Sequence, residues 1–451
     1  MHEQERVPGV ASEATVLVRV ILPDHVAEQD PLLELKGLAS TAGANIVGHL
    51  LQRRSRPNSR TFLGKGKVEE LIQLVAHCDA DVVIFDNDLT PAQTRNLERA
   101  VDTKVLDRTE LILDIFASNA QTYESRLSVE LAQLEYSLPR LKHMWTHLSR
   151  MKMGIGMRGP GEKQLEFDRR LVEKRIHELR TELKKIENRK ERQVAARDDH
   201  MTVSLVGYTN AGKSTLMNVL TGSDVLTEDK LFATLDTRTR RWQLPHWGPI
   251  LLSDTVGFIR NLPHRLITSF KATLEEARQT SLLLHVADAT NPEAINQIAA
   301  VSSVLQDIGL EEKDTLLALN KVDMLESPSQ LDAILQRYPN AIPISASTRL
   351  GLEQLALAVS DALSRAFRDV DIEMDVSNGK LMAYLAAHGE VISQRYHENR
   401  ALIHCRIPQK YLGRIDDPDV SIEDHPLLPV DAVKSTSTNA NDSVPTVDDS
   451  A

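Results

Sequence analysis

Cysteine is almost missing from this chain: Cys78 and Cys405 are the only two in 451 residues, far apart and at no metal-ligand spacing. That excludes a disulfide scaffold and a cysteine-built zinc module, and both are expected as reduced core thiols in a reducing cytosol. Long apolar runs are missing too. No stretch approaches the ~20 uninterrupted apolar residues that span a bilayer. The start, Met1-His2-Glu3-Gln4-Glu5-Arg6, lacks the basic and then apolar character of a secretory leader, so the expected location is cytoplasmic. There is no general basic excess either: the net charge of −11 argues against a uniformly basic nucleic-acid coat. The charge is uneven, however. Ser137–His200 holds 17 Lys/Arg against 10 Asp/Glu, whereas Ile415–Ala451 holds one Lys against 9 Asp/Glu. The middle is locally basic and the tail acidic, which bears on the choice of partner.

After a short lead (1–13) expected to be disordered, β-branched runs alternate with helical stretches. Strands are expected at Thr15–Ile21, Asn45–Leu51, Asp81–Asp86 and Lys104–Asp107, and helices at Leu32–Thr41, Lys67–His77 and Pro91–Ala100, the last capped by Thr90. This alternation implies a small parallel α/β domain over 14–118. From 119 to 198 the period becomes helical. Leu127, Val129, Leu131, Leu134 and Leu138 form one apolar stripe; Leu165, Leu171, Ile176, Leu179, Leu183 and Ile186 form another. Between them Met153–Glu162 is too rich in glycine and proline to stay helical. The segment reads as an antiparallel helical hairpin with its tip at 154–161. Strand and helix alternate again over 201–367. A small α+β unit is expected over 370–427, built from Val370–Val376, Leu381–His388, Val391–Tyr396 and Ala401–Ile407. An acidic disordered tail follows at 428–451. The predicted class is α/β: a nucleotide-binding domain with a parallel sheet, preceded by the small α/β domain and the hairpin, and followed by the α+β unit.

The chemistry concentrates in the third segment. A buried-strand run, Thr202–Val206, flows into Gly207-Tyr208-Thr209-Asn210-Ala211-Gly212-Lys213-Ser214 and then a helix. This is the phosphate loop pattern G-x-x-x-x-G-K-[ST]. The glycines let successive N–H groups turn toward phosphate oxygens, Lys213 meets the β- and γ-phosphates, and the Ser214 hydroxyl is placed for Mg²⁺. Downstream, Asn320-Lys321-Val322-Asp323 ends another strand. A carboxylate at Asp323 can accept from the N1–H and 2-amino group of guanine. Adenine offers neither donor and would leave that carboxylate unpaired. Asn320 would brace the loop and the Lys321 stem would cover the base. Ser345-Ala346-Ser347, at the end of a further strand, resembles a loop whose backbone contacts guanine O6. Asp254-Thr255-Val256-Gly257 supplies a carboxylate for Mg²⁺ through water and an N–H for the γ-phosphate. Phe232-Ala233-Thr234-Leu235-Asp236 offers the second hydroxyl for Mg²⁺, Thr234, with Thr237 as the alternative. Lys213, Thr234, Asp254 and Gly257 are therefore the expected catalytic set, Ser214 and Thr234 the metal ligands, and GTP/GDP with Mg²⁺ the ligands. Phe258 stands where a water-orienting glutamine is found in other such enzymes, so turnover to GDP and phosphate is expected to be slow alone and stimulated by a partner.

The motif order, the Phe-Ala-Thr-Leu-Asp segment, Asp-Thr-Val-Gly-Phe, Gly-Ile-Gly-Met-Arg-Gly-Pro-Gly-Glu at the hairpin and Phe62-Leu63-Gly64-Lys65-Gly66-Lys67 together resemble the HflX family of ribosome-associated GTPases. The resemblance spans about 14–367 and departs mildly at Asp236-Thr237, where many relatives have Asp-Pro. It implies association with the large ribosomal subunit and its rRNA, splitting or rescue of stalled ribosomes, and a hairpin tip that reaches toward the peptidyl-transferase centre. A monomer with loose membrane association completes the expected partners. Two other classes stay open on the residues: an RNA-remodelling NTPase using the N-terminal domain, and a signalling GTPase with a protein or membrane partner. Arg158 is a candidate RNA contact; the plainer alternative for the hairpin is a solvated charged helix pair packed on its neighbours, and Gly64–Lys67 reads equally as a helix-leading turn.

Overall fold

Thr15 to Val20 are buried without a break, the pattern of a strand covered on both faces. The computed structural model describes residues 12–23, 30–144, 160–195, 201–222, 231–232, 237–244, 248–260, 277–278, 280–310, 313–325, 327–365, 367–413, 415, 417 and 419–425. The lead before residue 12, residues 154–159 of the expected tip 154–161 with Arg158, the Ala233–Asp236 segment with Thr234, and the tail from 426 lie outside the described residues; the last two tip residues, Pro160 and Gly161, instead begin a helix, Pro160–Ala195, where a proline in the first turn is tolerated.

The buried run is β1 (Ala14–Ile21), which pairs in parallel with β2 (Asn45–Arg53) and β3 (Val82–Phe85); β4 (Lys104–Asp107) completes the order β2-β1-β3-β4. Alternation along β1 divides two cores. Val16, Val18 and Val20 pack with Leu71 and Val75 of α2 (Lys65–Cys78) and with Leu97 and Val101 of α3 (Pro91–Val101). Leu17 joins Leu35 and Leu38 of α1 (Leu33–Thr41) and Leu111, Ile112 and Phe116 of α4 (Arg108–Asn119). Thr90 caps α3 in a reciprocal capping box with Gln93, with Pro91 in the first turn, so a donor left over at the helix start is satisfied locally. The periodicity did not announce α4. It starts with no linker, because Asp107 both ends β4 and accepts from the Glu110 N–H at 3.0 Å.

Helices α5 (Tyr123–Met144) and α6 (Pro160–Ala195) pack through Leu127, Leu131, Ile176 and Leu179, with Leu134, Leu138, Val172, Leu183 and Ile186 alongside. Leu171, expected on this stripe, is 51% exposed. Its neighbour Val172 takes the place, since 172, 176, 179, 183 and 186 keep the three-and-four spacing of one helix face. Val129 turns from the seam to the core beside α4. Arg175 with Glu130 and Arg180 with Glu135, each pair at 2.7 Å, lace the exposed flanks. Exposed pairs of this kind each add a few tenths of a kcal/mol up to about 1.

The second sheet runs β10-β9-β8-β5-β7-β6. Its strands are β5 (Thr202–Gly207), β6 (Arg238–Leu244), β7 (Gly248–Asp254), β8 (Leu282–Asp288), β9 (Thr315–Asn320) and β10 (Ile342–Pro343), all parallel except β6. Among the described residues its helices include α7 (Lys213–Thr221), α8 (Ala294–Asp307), α9 (Pro328–Arg337) and α10 (Leu352–Ser364). Among the described residues no helix is long and apolar enough to cross a membrane.

The chain divides into two compact units, Met1–Asp361 and Ala362–Ala451. The second carries an antiparallel sheet, β12-β13-β11-β14, from β11 (Phe367–Asp375), β12 (Glu390–His397), β13 (Arg400–Pro408) and β14 (Ser421–Asp424), with α11 (Gly379–His388) and the short α12 (Gln409–Leu412). Val370, Ile372 and Met374 of β11 meet Ala401, Ile403 and Cys405 of β13 in its core.

Candidate functional site

The carboxyl ends of β5, β7, β8 and β9 converge on one edge of the sheet, the edge where open parallel sheets take ligands. At the end of β5 the chain must turn under a close neighbour. Gly207 sits at φ +151°, and a Cβ there would lie 2.1 Å from the Val286 carbonyl of β8. Gly212, at φ +87°, would likewise drive a Cβ to 2.3 Å from Asn320 Nδ2. Only glycine fits either position. Between them Asn210 is exposed at φ +60° and Ala211 is buried. The Thr209 hydroxyl is buried and finds no hydrogen-bond partner among the described residues, an arrangement that suits an incoming oxygen.

Helix α7 opens at Lys213, which is 6% exposed and donates through Nζ to the carbonyls of Gly207 at 3.2 Å and Tyr208 at 2.9 Å. Burial pushes its pKa down from 10.5 to about 8, against the pull of Asp254. Ser214 Oγ donates to Asp254 Oδ2 at 2.6 Å. A hydroxyl and a carboxylate so close form a hard-oxygen pair of the kind that suits Mg²⁺. Behind them His285 of β8 is pushed down to about 4 by burial and by Lys213, and stays neutral.

The segment after β7 lies along the phosphate loop. Thr255 Oγ1 donates to the Leu205 carbonyl at 2.7 Å. The Phe258 N–H donates to the Gly207 carbonyl at 3.0 Å, and the Thr209 N–H donates to the Phe258 carbonyl at 2.8 Å. A Cβ on Gly257 would lie 2.9 Å from Thr209 Cα and 3.0 Å from Lys213 Nζ, so this backbone can reach the lysine only as glycine. Val256 and Phe258 are buried in the shared core and present no polar group to the site. Phe232 also faces that core: its ring meets Phe116 edge-on at 4.7 Å, and its carbonyl accepts from Asn119 Nδ2 at 2.8 Å. Thr237, the alternative hydroxyl, precedes β6 and is half-buried.

At the other end Asn320 joins two loops. Its Nδ2 donates to the Ala211 carbonyl at 2.9 Å, and its Oδ1 accepts from the Ala346 N–H at 2.9 Å. Lys321 leaves β9 at φ +65° and reaches Asp288 Oδ2 at 2.7 Å. Val322 and Asp323 begin a 3-10 turn, Val322–Met324. The exposed Asp323 carboxylate is held below its ordinary pKa by hydrogen bonding, first from Ser345. Ser347 Oγ donates to it at 3.1 Å. Ser345 and Ser347 share a hydrogen bond at 3.0 Å, and Gly351, at φ +73° with the Pro343 carbonyl 2.3 Å from any Cβ, closes this loop.

Sequence reasoning missed what surrounds Tyr208. Its hydroxyl donates to Glu34 of α1 and accepts from the Arg260 N–H at 2.7 Å. Glu34 also meets Arg108 at 3.0 Å and Arg260 at 3.2 Å, and Arg108 meets Asp86 at 2.6 Å. These partners stand up to 226 residues apart, so no local pattern announces them. A cavity of about 680 Å³ opens beside them, lined by Glu34, Tyr208, Asn210, Arg260, Asp288 and Asn296 among others.

Compared with known proteins, the chain matches three family models: GTP-binding GTPase N-terminal over 29–117, GTP-binding GTPase Middle Region over 119–197, and 50S ribosome-binding GTPase over 202–321. GTPase HflX of Escherichia coli (strain K12) is 46% identical over 374 residues, covering 82% of this chain and 88% of that protein. GTPase HflX of Magnetococcus marinus is 43% identical over 410 residues, covering 90% of this chain and 95% of that one. Among solved structures, a GTP-binding protein from the archaeon Sulfolobus solfataricus in complex with GDP is 25% identical, with a TM-score of 0.42 over 78% of this chain and 99% of that one.

Proposed function

This chain belongs to the HflX family of GTPases and hydrolyses GTP; from that premise we propose that it is a cytoplasmic, monomeric GTPase of the large ribosomal subunit that splits or rescues stalled ribosomes, with at most loose membrane association. The observation that best supports the site assignment is the double hold of Asn320, which fixes the Ala211 carbonyl and the Ala346 N–H to one amide. Phosphate loop and guanine loop then move as one frame. Asp323 pairs with the guanine N1–H and 2-amino group, and the backbone of the Ser345–Ser347 loop faces O6. The N–H groups of Gly207–Ser214 and the Lys213 ammonium take the phosphates. Ser214 and Thr234 would hold Mg²⁺, Asp254 would support it through water, and the Gly257 N–H would meet the γ-phosphate. When bound, the ion offsets charge on the β- and γ-oxygens. Phe258 is buried in the core, so the group that orients the attacking water comes from elsewhere, and unaided turnover is slow.

The ribosomal reading draws on the family model that names 50S binding and on the basic stretch Ser137–His200, which spans most of the hairpin and holds 17 Lys/Arg against 10 Asp/Glu. A basic helix pair suits RNA phosphates, and binding should weaken steeply with salt. The test is GTP turnover with and without purified large subunits, for the wild type and for a chain with 153–162 replaced by a short Gly/Ser linker. Basal hydrolysis and GTP affinity should stay near wild type while stimulation falls sharply. Equal stimulation of both returns the loop to a connector, and co-sedimentation that ignores GTP or GDP removes the ribosomal reading.

A further inference from the structure

The last of the three family models ends at residue 321, ahead of the second unit, Ala362–Ala451. There, β11 alternates cleanly. Val370, Ile372 and Met374 point into the core, so Asp369, Asp371 and Glu373 share the opposite face. The register sets His404 of β13 across from Asp371 on one side. On the other, the His425 N–H donates to the Asp369 carbonyl at 2.9 Å, continuing the β14 pairing. Glu373 finds Arg400 at 3.7 Å, but its two neighbours meet imidazoles: Asp369 Oδ1 lies 2.6 Å from His404 Nε2, and Asp371 Oδ2 lies 2.7 Å from His425 Nδ1. The two rings stack at 3.7 Å, 17° from parallel.

From this geometry we infer that Asp371, His404 and His425 form a binding site for a divalent transition ion of the Zn²⁺ class, with Asp369 orienting the His404 ring. One ligand atom from each of the three lies within 4.8 Å of the others. Two donors about 2.1 Å from one tetrahedral ion stand about 3.4 Å apart, so the two rings must swing out of their stack for both lone pairs to meet at one ion. Two imidazoles with a carboxylate select Zn²⁺ and its neighbours over Mg²⁺ or Ca²⁺, which prefer all-oxygen sets. The side chains are sheltered without being sealed: His404 is 17% exposed, Asp371 23% and His425 32%. That leaves a fourth position to water. A carboxylate on the second nitrogen of a ligating histidine is the usual support of such sites. The ligands come from the centre of β11, from β13 and from the residue just past β14, so the ion would clasp the edge strand to the sheet. The alternative is two ordinary His–Asp pairs on a sheet face.

The experiment uses the full chain, stripped with a chelator and then saturated with GDP and Mg²⁺ so that the nucleotide site is filled. Zn²⁺ is titrated in competition with a chromophoric chelator. The wild type should take up one equivalent. His404→Ala and His425→Ala should each weaken binding at least tenfold, and Asp369→Asn about tenfold, while the metal-free variants keep the far-ultraviolet dichroism and unfolding midpoint of the metal-free wild type, which reports that the second unit folds. X-ray absorption of the Zn²⁺-loaded wild type should show scattering from two imidazoles. Equal Zn²⁺ affinity in the wild type and the His404→Ala/His425→Ala double variant overturns the assignment, as does a spectrum without imidazole scattering.

Discussion

Lys213 is sealed in its site with its ammonium on two carbonyls, and among the described residues one carboxylate, Asp254, favours its charge. Its pKa of about 8, against an ordinary 10.5, makes nucleotide binding a proton-linked event. In the free protein the lysine loses its proton above about pH 8. Bound β- and γ-phosphates bring several negative charges to it and raise its pKa again. The sign follows: the free-state value is the lower one, so affinity is flat below it and falls as pH rises above it, by up to tenfold per unit. Once both states are neutral the lost binding is on the order of 3 kcal/mol. His285, pushed down to about 4, is neutral throughout this range and adds nothing.

Calorimetry of GDP binding in two buffers of different ionisation enthalpy reads the proton directly. With a free-state pKa of about 8, uptake should be roughly three-quarters of a proton at pH 8.5 and about a tenth at pH 7. Lys213→Arg keeps its charge at every accessible pH and should bind more weakly with no lysine-linked uptake. Zero uptake by the wild type at pH 8.5, or equal uptake by Lys213→Arg, would refute the reasoning.

Three further outcomes are expected. Asp323→Asn puts a donor against the guanine amino group and should shift preference toward xanthosine nucleotides; a titration with unchanged GTP affinity and no gain for XTP removes the base assignment. Asp86→Ala strips the shared partner from Arg19 and Arg108, both under 10% exposed, and should cost about 3–5 kcal/mol in chemical denaturation; a loss below about 1 would show that the remaining partners suffice. Gly351→Ala must hold a Cβ at φ +73° against the Pro343 carbonyl, and at about 1–3 kcal/mol of strain should lower GDP affinity more than tenfold; wild-type affinity would show that the Ser345–Ser347 loop does not touch the base.

Much of this was legible because backbone and chemistry share a pattern. Lys104–Asp107 is a strand as the run of residues suggested, and Thr90 caps α3. The Gly207–Ser214 and Asn320–Asp323 motifs fall at strand ends because a buried apolar run must stop where polar loop residues begin. What stayed hidden lacked a local signal. Helix α4 follows β4 with no turn residue between them. Every residue of β14, Ser421–Asp424, is exposed, so no alternation marks it as a strand. Leu171 is more apolar than Val172, so hydrophobicity alone favours it, whereas the three-and-four spacing of the helix face chooses Val172. Tyr208 occupies a position of the phosphate loop that tolerates many residues, and nothing in its neighbours says that the hydroxyl meets Glu34.

That hydroxyl changes how the first domain must be read. The stretch 233–236 is preceded by Leu231 and Phe232, and both are tied to the α/β domain: the Leu231 N–H donates to Thr41 Oγ1 at 3.1 Å, and Phe232 rests on Phe116 and Asn119. The Asp254–Phe258 segment is followed by Arg260, which is tied to Glu34 of the same domain. Tyr208, inside the phosphate loop, shares that glutamate. An edge-on ring pair is worth about 0.5–1.5 kcal/mol beyond its burial, and a hydrogen bond to a charged group about 1.5–3. Any shift of either segment between GTP and GDP is therefore opposed or favoured by contacts of the same order as a switching energy. A ligand moves such an equilibrium only by its differential affinity for the two states. A domain that grips the approach to one segment, the exit of the other and the phosphate loop between them is placed to have such a difference, and a GTPase domain cut away from it would keep its motifs but lose these restraints.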